Sequence, residues 1–212
     1  MTAEARRGAF ISFEGGDGAG KTTQIARLAD RLRRAGRDVV TTREPGGAPG
    51  AEEIRALLVS GAADRWTPLG EALLMYAARA EHLARTILPA RARGAIVLTD
   101  RFSDSTRAYQ GIAGSLGRAP VDALEALVVG GDAPDLTFIL DAGEAGLARA
   151  GARGGDDRFE RKGAEYQARV REAFLAIAHD DPRRCVVIDS RRSADEVAAD
   201  IARHVEARLG LA

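Results

Sequence analysis

The chain has 212 residues, 45% hydrophobic and 29% charged, which is ordinary for a soluble globular protein and long enough for one α/β domain with a sizeable core. Lys plus Arg and Asp plus Glu number 31 each, so no global field draws the chain to nucleic acid or to a membrane surface, and no apolar run reaches the length of a membrane span. The one cysteine, Cys185, rules out an intrachain disulfide framework or a thiolate zinc site and, set in an apolar run, reads as core.

Met1–Arg7 leads into the first apolar run without a signal-peptide stretch, so the cytoplasm is the expected compartment. Five short apolar runs follow: Phe10–Phe13, Val39–Thr42, Ala95–Thr99, Leu136–Leu140 and Cys185–Ile188. Separated by helical patterns, they predict buried parallel strands in an open sheet covered by helices on both faces, with ligands at the carboxyl ends. Thr22 to about Arg34 reads as a helix stopped near Gly36. Thr67-Pro68 reads as the N-cap and first position of a long helix through Glu71, Leu74, Ala78 and Leu83. Ser193 and Glu196 form a capping-box pattern opening the last helix, with Val197, Ile201 and Val205 on one face. The least regular segment, about 143–163, sets glycines beside arginines. It reads as a mobile basic flap or as a solvated loop, and a triphosphate bound nearby favours the flap.

The first strand runs into Gly15-Gly16-Asp17-Gly18-Ala19-Gly20-Lys21-Thr22 and then into a helix. Strand, G-x-x-x-x-G-K-T and helix in that order make a phosphate-binding loop. Glycines let successive backbone N–H groups point inward, and the helix N-terminus adds partial positive charge. Lys21, one of only two lysines in the chain, can reach the outer phosphates, and the Thr22 hydroxyl can bind Mg²⁺. The motif specifies a nucleoside triphosphate but not a reaction.

Later segments bear on the reaction. Arg43-Glu44-Pro45-Gly46-Gly47 follows the second strand and holds an arginine and a carboxylate at the sheet edge, unless it is an ordinary turn. Asp100-Arg101 ends the third strand, where Asp100 can hold Mg²⁺ or its waters and Arg101 can clamp an acceptor phosphate; a local ion pair is the other reading. Met75 and Arg79 share a helix face and could hold a base by its face and by an edge carbonyl, or be core and surface residues respectively. Ser105, Thr106, Tyr109 and Gln110, on a short helix after Asp100, offer hydroxyls, a ring and an amide suited to sugar and base, or are a core tyrosine with polar neighbours. The histidines His82, His179 and His204 are scattered and receive no chemistry. Without a carboxylate dyad or nucleophile triad, positioning and charge stabilisation remain, which is what phosphoryl transfer uses. A switch-like binder reading guanine would want an Asn-Lys-x-Asp stretch, which is absent.

Taken together, these segments resemble bacterial thymidylate kinases. The matches run in family order: Phe13-Glu-Gly-x-Asp-Gly-Ala-Gly-Lys-Thr-Thr-Gln24, Thr42-Arg-Glu-Pro-Gly-Gly47, Ala77-Ala-Arg79 with His82, Asp100-Arg-Phe-x-x-Ser-Thr-x-Ala-Tyr-Gln-Gly111, Pro134-Asp-Leu-Thr137, Asp157-Arg-x-Glu160 and the late Asp189. The first is common among nucleotide kinases, whereas the second, fourth and fifth together are specific. The resemblance implies phosphoryl transfer from ATP to dTMP with Mg²⁺. It implies one phosphate-loop kinase domain over 1–212, a five-stranded parallel sheet with a lid at about 143–163, and a homodimer. The alternative is another phosphate-loop deoxynucleoside or nucleotide kinase.

By the same resemblance, Gly15–Thr22 hold the ATP phosphates and Arg191 and Arg192, with Ser190, border the adenine. Asp17 meets the acceptor's sugar hydroxyl region. Arg43 and Glu44 stand beside the acceptor phosphate and metal, the latter also held by Thr22 and Asp100. Arg79 contacts thymine, Arg101 clamps phosphate, Thr106 and Gln110 touch the base side, and Tyr109 lies beneath the sugar. Arg149, Arg153 and Arg158 fall in the lid. Gly18 stands where one branch places an arginine in the loop, so the implied source of catalytic positive charge is the lid, through Arg149 or Arg153. Three positions depart from the family pattern: Met75 for a stacking phenylalanine, Phe102 for a tyrosine and Ala48 for a threonine. They bear on substrate identity more than on reaction class.

Overall fold

The computed structural model describes residues 7–62, 64–143, 146 and 163–211. Among these, five strands form one parallel sheet: β1 (Phe10–Glu14), β2 (Val39–Arg43), β3 (Ile96–Asp100), β4 (Leu136–Asp141) and β5 (Cys185–Asp189). The spatial order is β2-β3-β1-β4-β5. It confirms the expected α/β class and puts the loop after β1 at the centre of the sheet. Each strand runs to an ionisable residue just past or at the end of its apolar run: Glu14, Arg43, Asp100, Asp141 and Asp189. Register brings several of these to one edge, with Arg43 and Phe13 both opposite Asp100, and Asp141 opposite Asp189. A parallel sheet buries its middle on both faces and leaves its carboxyl edge to polar chemistry, so the change from apolar to charged marks the edge itself.

The helices are α1 (Lys21–Arg34), α2 (Pro49–Val59), α3 (Pro68–His82), α4 (Leu88–Ala92), α5 (Ser103–Thr106), α6 (Arg118–Val128), α7 (Ala164–Asp180) and α8 (Ala194–Leu209). α3 runs into α4 through a π-helical stretch, Leu83–Ile87, and α5 into a second one, Arg107–Ile112. The predicted caps are present. Thr67 Oγ1 accepts from Gly70 N at 3.2 Å, and Ser193 and Glu196 exchange backbone hydrogen bonds at 3.3 and 3.0 Å. α2, α6 and α7 carry weaker start signals and were not anticipated; α2 opens on Pro49, and α6 holds Pro120 at its third position.

Two apolar layers cover the sheet. On one side Leu28 and Leu32 of α1 meet Val197, Ile201 and Val205 of α8 over Ile11, Phe13 and Phe138. Elsewhere Val170, Phe174 and Ile177 of α7 pack with Tyr109, Ile139 and Cys185, and Tyr76, Leu83, Ile87 and Val121 pack with Phe10, Val97 and Phe102. Burial pushes the Cys185 thiol up to about 12, which leaves it a core side chain rather than a nucleophile.

Candidate active site

Gly15 adopts φ +123° and Gly18 and Gly20 adopt +74° and +93°, so the chain curls in a way that side-chain-bearing residues resist. A Cβ on Gly15 would also stand 2.3 Å from the Leu140 carbonyl oxygen, because the loop leaves β1 pressed against β4. Lys21 opens α1 and is nearly buried. Its Nζ donates to the carbonyls of Gly16 at 3.0 Å and Gly15 at 3.3 Å. Burial, with Arg101 nearby, pushes the Lys21 ammonium down to about 8. Thr22 Oγ1 lies 3.2 Å from Asp100 Oδ2, bringing a hydroxyl and a carboxylate together at the mouth of the loop.

The end of β3 turns sharply. Arg101 has φ +69°, unusual for a residue with a side chain and costing about 1–2 kcal/mol. Hydrogen bonds hold it there. Its N–H donates to Phe13 O at 2.9 Å, and Thr99 Oγ1 donates to its carbonyl at 2.9 Å. The buried Glu14 carboxylate accepts from Phe102 N at 2.7 Å and from Ser105 Oγ at 2.6 Å. Burial, with the neighbouring Asp104 carboxylate, pushes Glu14 up to about 8. The turn throws the Arg101 guanidinium back across the loop. Nη1 donates to Gly15 O at 3.0 Å and Nη2 to Asp17 Oδ1 at 2.6 Å, with Tyr109 Oη 3.3 Å away. Burial works against the Asp17 charge, but Arg101 and Lys21 outweigh it and hold the carboxyl below its ordinary range.

Facing this, Arg79 is 2% exposed. Nε donates to Glu44 Oε2 at 2.9 Å, Nη2 stands 2.8 Å from the same oxygen as an ion pair, and Nη2 donates to Thr106 Oγ1 at 3.0 Å. The guanidinium lies between the rings of Tyr76 and Phe102, at 4.7 and 5.1 Å, and its Nη1 is buried without a protein partner. The surface reading of Arg79 is therefore corrected: aromatic rings and Glu44 repay the burial of its charge. Met75, half-buried, packs against the Tyr109 cluster and also lines the cleft. Gln110 Nε2 donates to the buried Glu71 Oε1 at 2.8 Å.

A cleft of about 370 Å³ collects Asp17, Gly18, Gly20, Lys21, Thr22, Arg43, Glu44, Met75, Arg79, Asp100, Arg101, Thr106, Tyr109 and Gln110. Gly15, Gly16 and Ala19 line a smaller hollow on the far side of the loop. Arg43 pairs with Glu52 Oε2 at 3.0 Å at the rim. Glu44, expected beside the cation with Thr22 and Asp100, instead gives Oε2 to Arg79 and Oε1 to His82 Nδ1, the latter at 3.0 Å. Arg191 and Arg192 lie outside both cavities, on Asp189 and Asp200. Arg149 and Arg153 fall outside the described residues.

Sequence reasoning missed several contributors. Arg55, which lines the cleft and donates to Pro45 O at 2.7 Å, sits on a helix that was not anticipated. Glu14 and Glu71 act through partners 39 to 91 residues away, and no local spacing signals that. His82 was set aside, although it is fully buried between Glu44 and Thr42.

A phosphate loop, an arginine-lined cleft beside it and this parallel sheet define a nucleoside monophosphate kinase of the phosphate-loop class. The family model described as thymidylate kinase matches residues 13–201. Thymidylate kinase of Caulobacter vibrioides is 60% identical over 97% of this chain and 99% of its own length, and that of Dinoroseobacter shibae 54% over 93% and 96%. The crystal structure of thymidylate kinase from Ehrlichia chaffeensis superposes with a TM-score of 0.78 at 34% identity, covering 94% of this chain and 99% of that one. The chain belongs to the thymidylate kinase family.

Proposed function

We propose that this chain transfers the γ-phosphoryl group of ATP to dTMP, giving ADP and dTDP. The observation that carries the reading is the convergence of Lys21 Nζ and Arg101 Nη1 on one carbonyl, that of Gly15, at 3.3 and 3.0 Å. The donor grip and the acceptor clamp meet at a single peptide, so the two phosphates are presented to each other across it. Backbone amides of Gly15–Lys21 hold the donor phosphates. Arg43 and Arg101 favour an acceptor that already carries phosphate, which is why a nucleoside kinase is not favoured. Arg79 Nη1, buried and unpaired, is the donor for a base carbonyl, with Met75 over the ring and Thr106, Tyr109 and Gln110 around base and sugar.

Thr22 and Asp100 would hold Mg²⁺. Their oxygens suit a hard cation, and no cluster of three or more His, Cys, Asp or Glu among the described residues forms a separate metal cage. Bound there, the ion supplies charge neutralisation at the phosphates.

One lid arginine, Arg149 or Arg153, provides positive charge to the transferring group. Single-turnover transfer falls by about a hundredfold in at least one of Arg149→Ala and Arg153→Ala, and unchanged transfer in both removes the lid from the chemistry. The family resemblance supports a cytoplasmic homodimer. Among the described residues no helix is long and apolar enough to cross a membrane. The exposed Leu69 and Leu73 of α3, which packs against α6, provide an apolar face for a second copy, and the mass in solution decides it.

The test of the reaction is ADP release from Mg²⁺-ATP across a panel of nucleoside monophosphates. dTMP is expected to give the highest kcat/KM, and a purine monophosphate in its place would overturn the base assignment.

A further inference from the structure

The acceptor end of the cleft is held by a chain of hydrogen bonds that extends beyond any group facing the substrates. From Thr106 Oγ1 it passes to Arg79 Nη2 at 3.0 Å, and from Arg79 Nε to Glu44 Oε2 at 2.9 Å. From Glu44 Oε1 it continues to His82 Nδ1 at 3.0 Å, and from His82 Nε2 to Thr42 Oγ1 at 2.7 Å. Arg79, Glu44 and Thr106 line the cleft, but His82 and Thr42 do not.

The chemistry of the chain fixes its direction. An ionised carboxylate only accepts, so the Glu44 oxygen requires a proton on Nδ1. With the ring neutral, Nε2 then carries a lone pair and accepts a hydrogen bond from the Thr42 hydroxyl. Both ends are satisfied by one tautomer. The ring cannot swing away, because the backbone at Gly47 closes over it: a Cβ there would stand 2.5 Å from Nε2 and 2.4 Å from Thr42 Oγ1. Thr86 Oγ1 ties the Gly47 carbonyl down at 2.6 Å.

With Oε1 held by His82, the Glu44 carboxylate has one orientation, and Oε2 grips the Nε–Nη2 edge of Arg79. That leaves Nη1, buried and unpaired, as the N–H group available to a ligand. A carboxylate free to turn would release that edge, and the guanidinium could rotate with it.

We propose that His82 is a positioning residue for acceptor-base specificity. By locking Glu44 it fixes the plane in which Arg79 presents Nη1, so that the cleft favours a pyrimidine monophosphate with a carbonyl at that edge over one with an amine. A carbonyl accepts the Nη1 proton, whereas an amine sets N–H against N–H. The inference rests on the assignment of Arg79 to the base, and its test separates the two.

kcat and KM are measured with dTMP and dCMP, and KM with ATP, for the wild type, His82→Ala, His82→Asn, Thr42→Val and Arg79→Ala. His82→Ala is expected to raise KM for dTMP about tenfold and to lower the dTMP-to-dCMP ratio of kcat/KM by about the same factor, with kcat and KM for ATP within about threefold. His82→Asn, whose side-chain N–H can replace Nδ1–H, restores the wild-type ratio to within about 1.5-fold. Thr42→Val, which leaves the imidazole in place, lowers the ratio about threefold and carries the test should His82→Ala not fold. A purely structural histidine would reduce the active fraction and thus kcat, leaving KM and the ratio unmoved. An unchanged ratio in His82→Ala, or in Thr42→Val where His82→Ala fails to fold, overturns the proposal if Arg79→Ala shifts the ratio. If Arg79→Ala shifts neither KM nor ratio, the base assignment fails and the proposal with it.

Discussion

Lys21→Ala is expected to reduce phosphoryl transfer by about three orders of magnitude while the folded protein persists. The loss is large because Nζ is the mobile positive charge in a loop whose other contacts are backbone N–H groups. It sits 3.0 Å from Gly16 O and 3.3 Å from Gly15 O, close enough to follow a phosphate with a small change of rotamer. Charge spread over the transferring group is met in a partly buried site, where one cation counts for more than in water. The stability cost is modest. Alanine is the strongest helix former and sits well at the first position of α1, and the loss of two charge-assisted hydrogen bonds, about 1.5–3 kcal/mol each, is offset in part because an ammonium is no longer buried. Single-turnover transfer beside thermal unfolding checks both halves. Retained transfer with an unchanged melting curve would remove Lys21 from the reaction.

Arg79→Ala is expected to raise KM for dTMP by about a hundredfold and to destabilise the fold by about 3–5 kcal/mol. The two effects share one cause. Arg79 is both the proposed base donor and the counter-charge of Glu44, a carboxylate that is 7% exposed. Removing the guanidinium leaves that charge buried with His82 as its remaining partner, and empties the slot between the Tyr76 and Phe102 rings. Arg79→Lys restores little, since an ammonium cannot grip Glu44 through an Nε–Nη2 fork and still aim a separate N–H at the base. Urea unfolding gives the stability loss, and steady-state kinetics with dTMP varied gives KM. A large stability loss with KM unchanged would mark Arg79 as a scaffold residue only.

These two residues also differ in how visibly the chain announces them. Lys21 is readable because everything that makes it functional lies within a dozen neighbouring positions: an apolar strand, glycines free to adopt positive φ, and a helix start. Thr67 and Ser193 are readable for the same reason, since a cap is a contact between residues three apart. Arg79 is different. Spacing places it on a face with Met75, but whether that face meets solvent or core depends on Tyr76, Phe102 and Glu44. The last two lie on segments 23 and 35 positions away and come together only when β2 and β3 pair.

The carboxyl-edge sheet geometry decides most of the rest. Glu14 reaches Ser105 across 91 positions, and Arg101 reaches Asp17 across 84. Each pair joins the ends of strands or the turns that follow them. The spatial order β2-β3-β1-β4-β5 makes them neighbours, and the order of the chain does not reveal it.

By itself, then, the amino-acid order determined the strand-and-helix alternation, the phosphate loop and the caps, because these are set by backbone preference and contacts a few residues long. The tertiary structure alone decided that Glu44 serves Arg79 and His82, that Arg101 is turned back over Gly15, and that His82 is buried behind the acceptor cleft. A burial penalty is offset only by partners brought from distant segments, and folding is what brings them.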